Sequence, residues 1–201
     1  RSAAEASQAI RAAAAAGIPV TPRGAGSGLV GGAIGDGLVI DFSRHNTRIS
    51  PPDLERRRVR VGAGVVLDQL NDRLRPHGVC FGPDVATSSR ATLGGMIANN
   101  SSGSHTPVYG TTADHVCGLE VVLADGRIVN LAIETDPALP EFQPLRQLLT
   151  PHAGEVEDRF PAGFLKRWPG YGIDRFLREP ALANLLAGSE GTLAAIVSAE
   201  L

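Results

Sequence analysis

Glycine stands at positions 24, 26, 28, 31 and 32 within Val20-Thr-Pro-Arg-Gly-Ala-Gly-Ser-Gly-Leu-Val-Gly-Gly-Ala33. A run this dense in glycine is a poor helix or strand interior, because each glycine loses more backbone freedom on ordering than any other residue. It leaves main-chain N–H groups bare and lets a large anion approach the backbone. The segment therefore reads as a cradle for a diphosphate, and the chain as a holder of a nucleotide. The competing reading is an ordinary glycine-rich surface turn.

Gly26, Gly28 and Gly31 satisfy G-x-G-x-x-G, but that fingerprint requires a strand before it and a helix after it. Ile18–Thr21 supplies the strand. Beyond Gly28, Leu-Val-Gly-Gly-Ala-Ile-Gly-Asp-Gly37 has no 3.6-residue period, and Leu38-Val-Ile-Asp-Phe42 reads as a second strand. A Walker loop fails as well, since no Lys-Ser/Thr pair closes the run. The expected arrangement is strand–loop–strand.

The chain has 201 residues, of which 43% are hydrophobic and 20% charged, enough for one globular unit or two closely packed subdomains. Its net charge of −2, from 19 basic and 21 acidic residues, argues against a nucleic-acid or anionic-membrane partner. Cys80 and Cys117 sit in apolar surroundings without C-x-x-C spacing, so two buried thiols in a reducing compartment are expected. No apolar run reaches the roughly 18 residues of a membrane span. The expected location is cytoplasmic, with a membrane-peripheral place as its variant. The chain opens at Arg1 directly in a helical pattern, as a piece of a longer protein would.

Ser2–Ala16 reads as an alanine-rich helix with Ser2 as N-cap and Gly17 as stop. Arg56–Val61 alternates and reads as a strand with a solvated arginine face. Val65–His77 is amphipathic, with Val66, Leu67, Leu70 and Leu74 on one side. Val79–Phe81 reads as a short strand, Leu93–Asn100 as a short helix and Ser101–Asp114 as loop. Val116–Leu123 and Arg127–Ala132 form a hairpin about Asp125-Gly126. In the proline-rich stretch 135–179 one helix stands out, Pro144–Leu149. Leu182–Leu186 is helical or extended, and Thr192–Leu201 is a final strand. Separate strands, a hairpin and peripheral helices make the class α+β.

Three further segments combine glycine with small hydroxyl and amide side chains, the composition suited to a large polar heteroaromatic ligand. They are Phe81-Gly-Pro-Asp84 with Ser88-Ser-Arg-Ala-Thr-Leu-Gly-Gly-Met-Ile-Ala-Asn-Asn100, Ser101-Ser-Gly-Ser-His-Thr-Pro-Val-Tyr-Gly-Thr-Thr-Ala-Asp114, and Gly188-Ser-Glu-Gly-Thr192. In order and spacing, Pro22–Leu29, Gly82–Asp84 with Thr92–Gly95, Ala98–Gly103 with Tyr109-Gly110, and Gly188–Leu193 resemble the FAD-binding domain of the FAD-linked oxidases, the vanillyl-alcohol oxidase and p-cresol methylhydroxylase type. Asn99-Asn-Ser-Ser-Gly-Ser-His105 and Trp168-Pro-Gly-Tyr-Gly-Ile-Asp174 are most similar to the D-2-hydroxy-acid dehydrogenases among them, which act on D-lactate, D-2-hydroxyglutarate or glycolate.

The resemblance implies two α+β subdomains, about 1–80 and about 81–201, with FAD between them. It implies that Arg23, Gly24, Ala25, Gly26, Ser27, Gly28 and Leu29 wrap the diphosphate. Pro83 and Asp84 would line the cleft, and Ser88, Thr92, Gly94 and Gly95 would contact the diphosphate, ribose or adenine side. Ala98, Asn99, Ser102 and Gly103 would lie near the flavin ring or ribityl chain. Glu190 and Gly191 would close over the adenosine, with Ile196 packing nearby. Some relatives attach FAD through a histidine in the glycine loop, where this chain has Ser27, so non-covalent FAD is expected. The implied reaction is hydride transfer from a small D-2-hydroxy acid to FAD, giving the 2-oxo acid. The substrate side would come from a C-terminal domain outside this chain, so the chain alone is expected to be inactive. A downstream iron–sulfur cluster would match the fused relatives. The alternatives are a non-catalytic nucleotide-binding domain and a same-fold oxidase acting on an alcohol or sugar.

His105 is the one candidate catalytic group, its rival reading a loop histidine that hydrogen-bonds locally. Asp84 could be a base, but between Pro83 and a loop it reads better as a turn residue or cofactor contact. His45, His77, His115 and His152 are scattered and lack metal-ligand spacing. Trp168 before Pro169 reads as a packing anchor.

Overall fold

The computed structural model describes residues 2–132, 139–161, 163 and 170–201. Trp168 and the start of its motif lie outside the described residues. Helix α1 (Ala3–Ala15) begins at a capping box: Ser2 Oγ accepts from the Glu5 N–H at 3.2 Å, and Glu5 Oε2 accepts from the Ser2 N–H at 3.0 Å. Past its end, Gly17 takes a left-handed φ of 67°.

Strands β1 (Val20–Arg23) and β2 (Leu38–Asp41) pair in parallel, Val20 opposite Leu38 and Arg23 opposite Asp41. Parallel neighbours need a crossover, and here the crossover is the helix-free glycine loop itself. A Cβ on Gly37 would collide with the Pro19 carbonyl, which explains how the returning chain lies so close to β1.

A four-stranded antiparallel sheet runs in the order β3–β6–β4–β5, with β3 at Arg60–Gly62, β4 at Gly118–Val122, β5 at Ile128–Ala132 and β6 at Ala195–Glu200. It takes one strand from before residue 80 and three from after it. The register between β4 and β6 shifts between Glu120 and Val121, leaving Val197 as the extra residue of a bulge. The Val197 carbonyl points to the other side of β6, where it continues the β3–β6 ladder by accepting from the Ala63 N–H at 2.9 Å and also accepts from Asn46 Nδ2 at 2.6 Å. It also lets Ile196 and Ala199 both face the main core while Ala195 and Val197 face a second core under α1. The main core takes Leu67, Leu70 and Leu74 from α2 (Leu67–Leu74) and Leu93, Met96 and Ile97 from α3 (Leu93–Ala98). Among the described residues five further helices follow along the chain: α4 (Thr106–Tyr109), α5 (Phe142–Leu149), α6 (Ala153–Arg159), α7 (Ile173–Arg178) and α8 (Leu182–Leu186).

Four expectations need correction. Arg56–Arg58 is a turn and the strand starts only at Arg60: Asp53 and Arg58 exchange backbone bonds of 2.8 and 2.9 Å, and Arg57 is left-handed at φ 53°. Val79–Phe81 is extended but belongs to no ladder, because the Phe81 N–H is taken by Asn71 Oδ1 at 2.8 Å. With Phe81 turned inward, Cys80 is exposed and Cys117 half-buried, so the pair of buried thiols is not what forms. In addition, Ser101–Asp114 contains α4 and a 3-10 turn over Thr112–His115.

Candidate functional site

The glycine loop, α3 and the turn at 188–191 enclose a cleft of about 660 Å³, within the usual range for ligand pockets. Arg23 through Leu29 line one wall. Among the described residues, no N–H from Gly24 to Ala33 donates to a protein acceptor, so ten consecutive main-chain positions carry unspent or water-facing donors. Opposite them lie Thr92, Gly94 and Gly95 at the start of α3. The Gly95 N–H likewise has no acceptor, and it would stand 3.5 Å from a Cβ placed on Gly24. That same Cβ would overlap Thr92 Oγ1, a hydroxyl that is buried and has no partner. A buried orphan hydroxyl is costly unless a ligand satisfies it. The third wall comes from Ala98, Asn99, Glu190, Gly191 and Ile196.

Charge is scarce here: among the described residues, Arg23 and Glu190 are the only ionisable side chains lining the cleft. Arg23 is already engaged, its guanidinium 3.0 Å from Asp41 Oδ2. Partial burial opposes ionisation of Asp41, but the hydroxyl and N–H of Ser43 together with Arg23 outweigh it and hold the carboxyl below its ordinary value. An anion in this cleft would thus be held by main-chain N–H groups and the Thr92 hydroxyl rather than by a free cation.

Of the residues expected to touch a cofactor, Pro83, Asp84, Ser88, Ser102 and Gly103 do not line this cleft. Pro83 is buried, and the Ser88 carbonyl accepts from the Asp68 N–H at 3.3 Å. Asp84 ties two loops together. Its carboxylate accepts from Ser104 Oγ at 2.9 Å, from the His105 N–H at 3.2 Å and from His105 Nδ1 at 2.9 Å. Gly103 packs directly on the Asp84 carbonyl, where a Cβ would collide. His105 thus holds Asp84 through both its ring and its main-chain N–H. The His105 ring bond, with the Ser104 and backbone donors, pulls the Asp84 carboxyl down to about 2. Since its folded pKa lies below the unfolded one, Asp84 supports the fold above about pH 4 and stops doing so as pH falls through about 2. The thermal midpoints of wild type and Asp84→Asn should differ by a constant amount above pH 4 and converge towards pH 2. A gap that persists at pH 2 would show that the carboxylate is not the source.

Of the cleft residues, Phe42, Ala63, Val85, Thr87 and Ala194 lie outside the segments that the sequence singles out as ligand-suited, and Ala91 and Met96 lie within one of them without an assigned contact. Ala63 sits beneath Gly94, where a Cβ would come within 2.6 Å of its own, so Gly62-Ala-Gly64 is close packing as well as a turn. Its small size was the available clue.

The fold and cleft define a binding module for a large phosphate-bearing ligand, held by main-chain N–H groups on a strand–loop–strand cradle. The chain belongs to the FAD-binding domain family, whose model matches residues 1–132. It is 41% identical over 197 residues to a D-2-hydroxyglutarate dehydrogenase of Pantoea ananatis, covering 90% of this chain and 19% of that protein. It is 36% identical over 182 residues to a D-lactate dehydrogenase of Archaeoglobus fulgidus, covering 90% of this chain and 32% of that one. The chain thus spans between a fifth and a third of these relatives. The solved 6-hydroxy-D-nicotine oxidase of Arthrobacter nicotinovorans matches all of this chain and 34% of its own, with a TM-score of 0.69 at 18% identity. The fold is accordingly the expected α+β, p-cresol methylhydroxylase-type one.

Proposed function

We propose that this chain is the FAD-holding part of a dehydrogenase that oxidises a small D-2-hydroxy acid, of the lactate, 2-hydroxyglutarate or glycolate type, to the 2-oxo acid. The observation that carries the cofactor side is the run of unpartnered N–H groups facing the orphan Thr92 hydroxyl across the cleft. The substrate class rests on the named activities of the relatives. FAD, when bound, accepts the hydride from the substrate carbon. This chain's residues bind and orient it: Gly24–Gly28 with Thr92 and Gly95 around the diphosphate, Ala98 and Asn99 beside the flavin and ribityl part, Glu190 and Gly191 beside the adenosine. Glu190 cannot compensate a diphosphate, so its carboxylate serves as an acceptor for ribose hydroxyls or the adenine amine. Attachment is non-covalent in this reading, since Ser27 stands in the glycine loop where some relatives carry a histidine and, among the described residues, no histidine, cysteine or tyrosine lines the cleft. A downstream iron–sulfur relay and a cytoplasmic or membrane-peripheral setting belong to the same proposal.

Two measurements test it. The purified chain should bind FAD stoichiometrically, with flavin absorbance that acid releases into the supernatant. The intact protein containing it should reduce a dye with a D-2-hydroxy acid and not with the L-enantiomer. FAD binding without such turnover would favour the same-fold oxidase acting on an alcohol or sugar.

A further inference from the structure

Helix α3 forms much of the cleft wall, and the chain must turn sharply at its end. Asn100 makes that turn with a left-handed φ of 45°, a conformation disfavoured for residues with a Cβ and least so for Asn and Asp. Glycine would adopt it more easily, so the side chain has a further use. Asn100 is 9% exposed, and its Oδ1 accepts from the Ala113 N–H at 2.9 Å, thirteen residues away. The next residue, Ser101, donates its N–H back to the Met96 carbonyl at 2.8 Å, and its own carbonyl accepts from the Thr112 N–H at 2.9 Å and Thr112 Oγ1 at 2.6 Å.

On the other side of the same turn, the last carbonyls of α3 are capped in trans. The Gly188 N–H donates to the Ile97 carbonyl at 2.9 Å and the Glu190 N–H to the Ala98 carbonyl at 2.8 Å. A Cβ on Gly188 would stand 3.5 Å from Asn100 Cβ, so the two turns lie in contact. Ala98, Asn99, Ser101, Glu190 and Gly191 all line the cleft, whereas Asn100 does not.

We infer that Asn100 is a positioning residue for the cofactor cleft: its left-handed turn, pinned to Ala113, sets Asn99 and Ser101 on one side and registers the Gly188–Gly191 turn on the other. The inference rests on the FAD reading for its functional consequence and on the hydrogen bonds alone for its structural one.

Three variants separate the parts of the role. Asn100→Asp keeps both the tolerance for the turn and the acceptor. Asn100→Gly keeps the turn and removes the acceptor. Asn100→Ala removes both. Amide exchange is read at Ala113, Gly188 and Glu190, and FAD affinity by flavin fluorescence well below the unfolding temperature. Loss of one buried hydrogen bond corresponds to about a tenfold change. Asn100→Ala should accelerate all three exchanges and weaken FAD by about that factor, while Asn100→Asp stays within about threefold of wild type on both. A residue that only stabilised the fold would lower the thermal midpoint and leave the affinity of the folded chain unchanged. Should Asn100→Ala fail to fold, a tenfold loss in Asn100→Gly beside a normal Asn100→Asp supports the role, and two normal variants overturn it. Unchanged exchange at Gly188 and Glu190 in a folded Asn100→Ala also overturns it. Accelerated exchange in a chain whose wild type does not bind FAD leaves the positioning intact and refutes the cofactor reading instead.

Discussion

Replacing Gly24 by alanine should abolish useful FAD binding while leaving most of the fold in place. Gly24 follows β1 directly, at the mouth of the loop. The new methyl would overlap Thr92 Oγ1, while it would meet the Gly95 nitrogen at an ordinary contact distance of 3.5 Å. Either Thr92 must leave its buried rotamer or the loop must lift off α3. Overpacking of this kind costs about 1–3 kcal/mol. The ligand would lose further contacts, because Gly24, Thr92 and Gly95 converge on one spot and shift together. Two hydrogen bonds to a charged group add roughly 1.5–3 kcal/mol each at full loss. The expected weakening is therefore at least about a hundredfold. Gly28→Ala is the matched control for stability, since a Cβ there meets nothing within 4 Å. Flavin fluorescence titration of both folded variants decides the matter: a Gly24→Ala chain that binds FAD within about threefold of wild type would remove this spot from the cofactor site.

The prominence of Gly24 also explains why the cradle was legible in the sequence. Bare N–H groups and close approach are local properties of glycine, and they survive whatever the rest of the chain does. The same holds for the ends of α1, where Ser2 and Glu5 cap each other, and for the hairpin, where Asp125-Gly126 sets the turn and the Leu123 N–H reaches the Arg127 carbonyl at 2.9 Å. What could not be read was decided by which partner each backbone group finds in the folded chain. Arg56–Arg58 and Val79–Phe81 have strand-like composition, but β-structure needs a partner, and Asn71 and the Asp53 turn took the relevant backbone groups. The bulge at Val197 has no sequence signature of its own, yet it lets Ile196 and Ala199 share one face of the sheet, with Ile196 at the cleft. Phe42 reaches the cleft at the end of β2, its N–H donating to the Arg23 carbonyl at 2.9 Å, a pairing no local pattern announces. The Asp84–His105 pair, 21 residues apart, is likewise a product of folding, and it gives His105 a local role that its sequence neighbours did not decide.

Thr92→Val should move stability and affinity in opposite directions. Thr92 is 2% exposed, and its Oγ1 has no hydrogen-bond partner. Its backbone is well used: the carbonyl accepts from the Met96 N–H at 2.9 Å as α3 begins. Valine keeps the branched shape and the strand-like entry to the helix while replacing the hydroxyl by a methyl. In the empty chain, removal of an unsatisfied buried polar group should stabilise by about 1 kcal/mol. The thermal midpoint should therefore rise. With FAD present the sign reverses, because a hydroxyl that donates to a phosphoryl oxygen contributes a charge-assisted bond of about 1.5–3 kcal/mol, or roughly ten- to hundredfold in affinity. The stabilisation that saturating FAD confers on wild type should shrink in the variant accordingly. A simple packing role for Thr92 predicts something else, a loss of stability with unaltered affinity, since the methyl fits less well than the hydroxyl it replaces. Melting curves with and without FAD, together with a titration of each folded chain, separate the two accounts. A variant that is both less stable and equally tight would show that the orphan hydroxyl does not face the ligand.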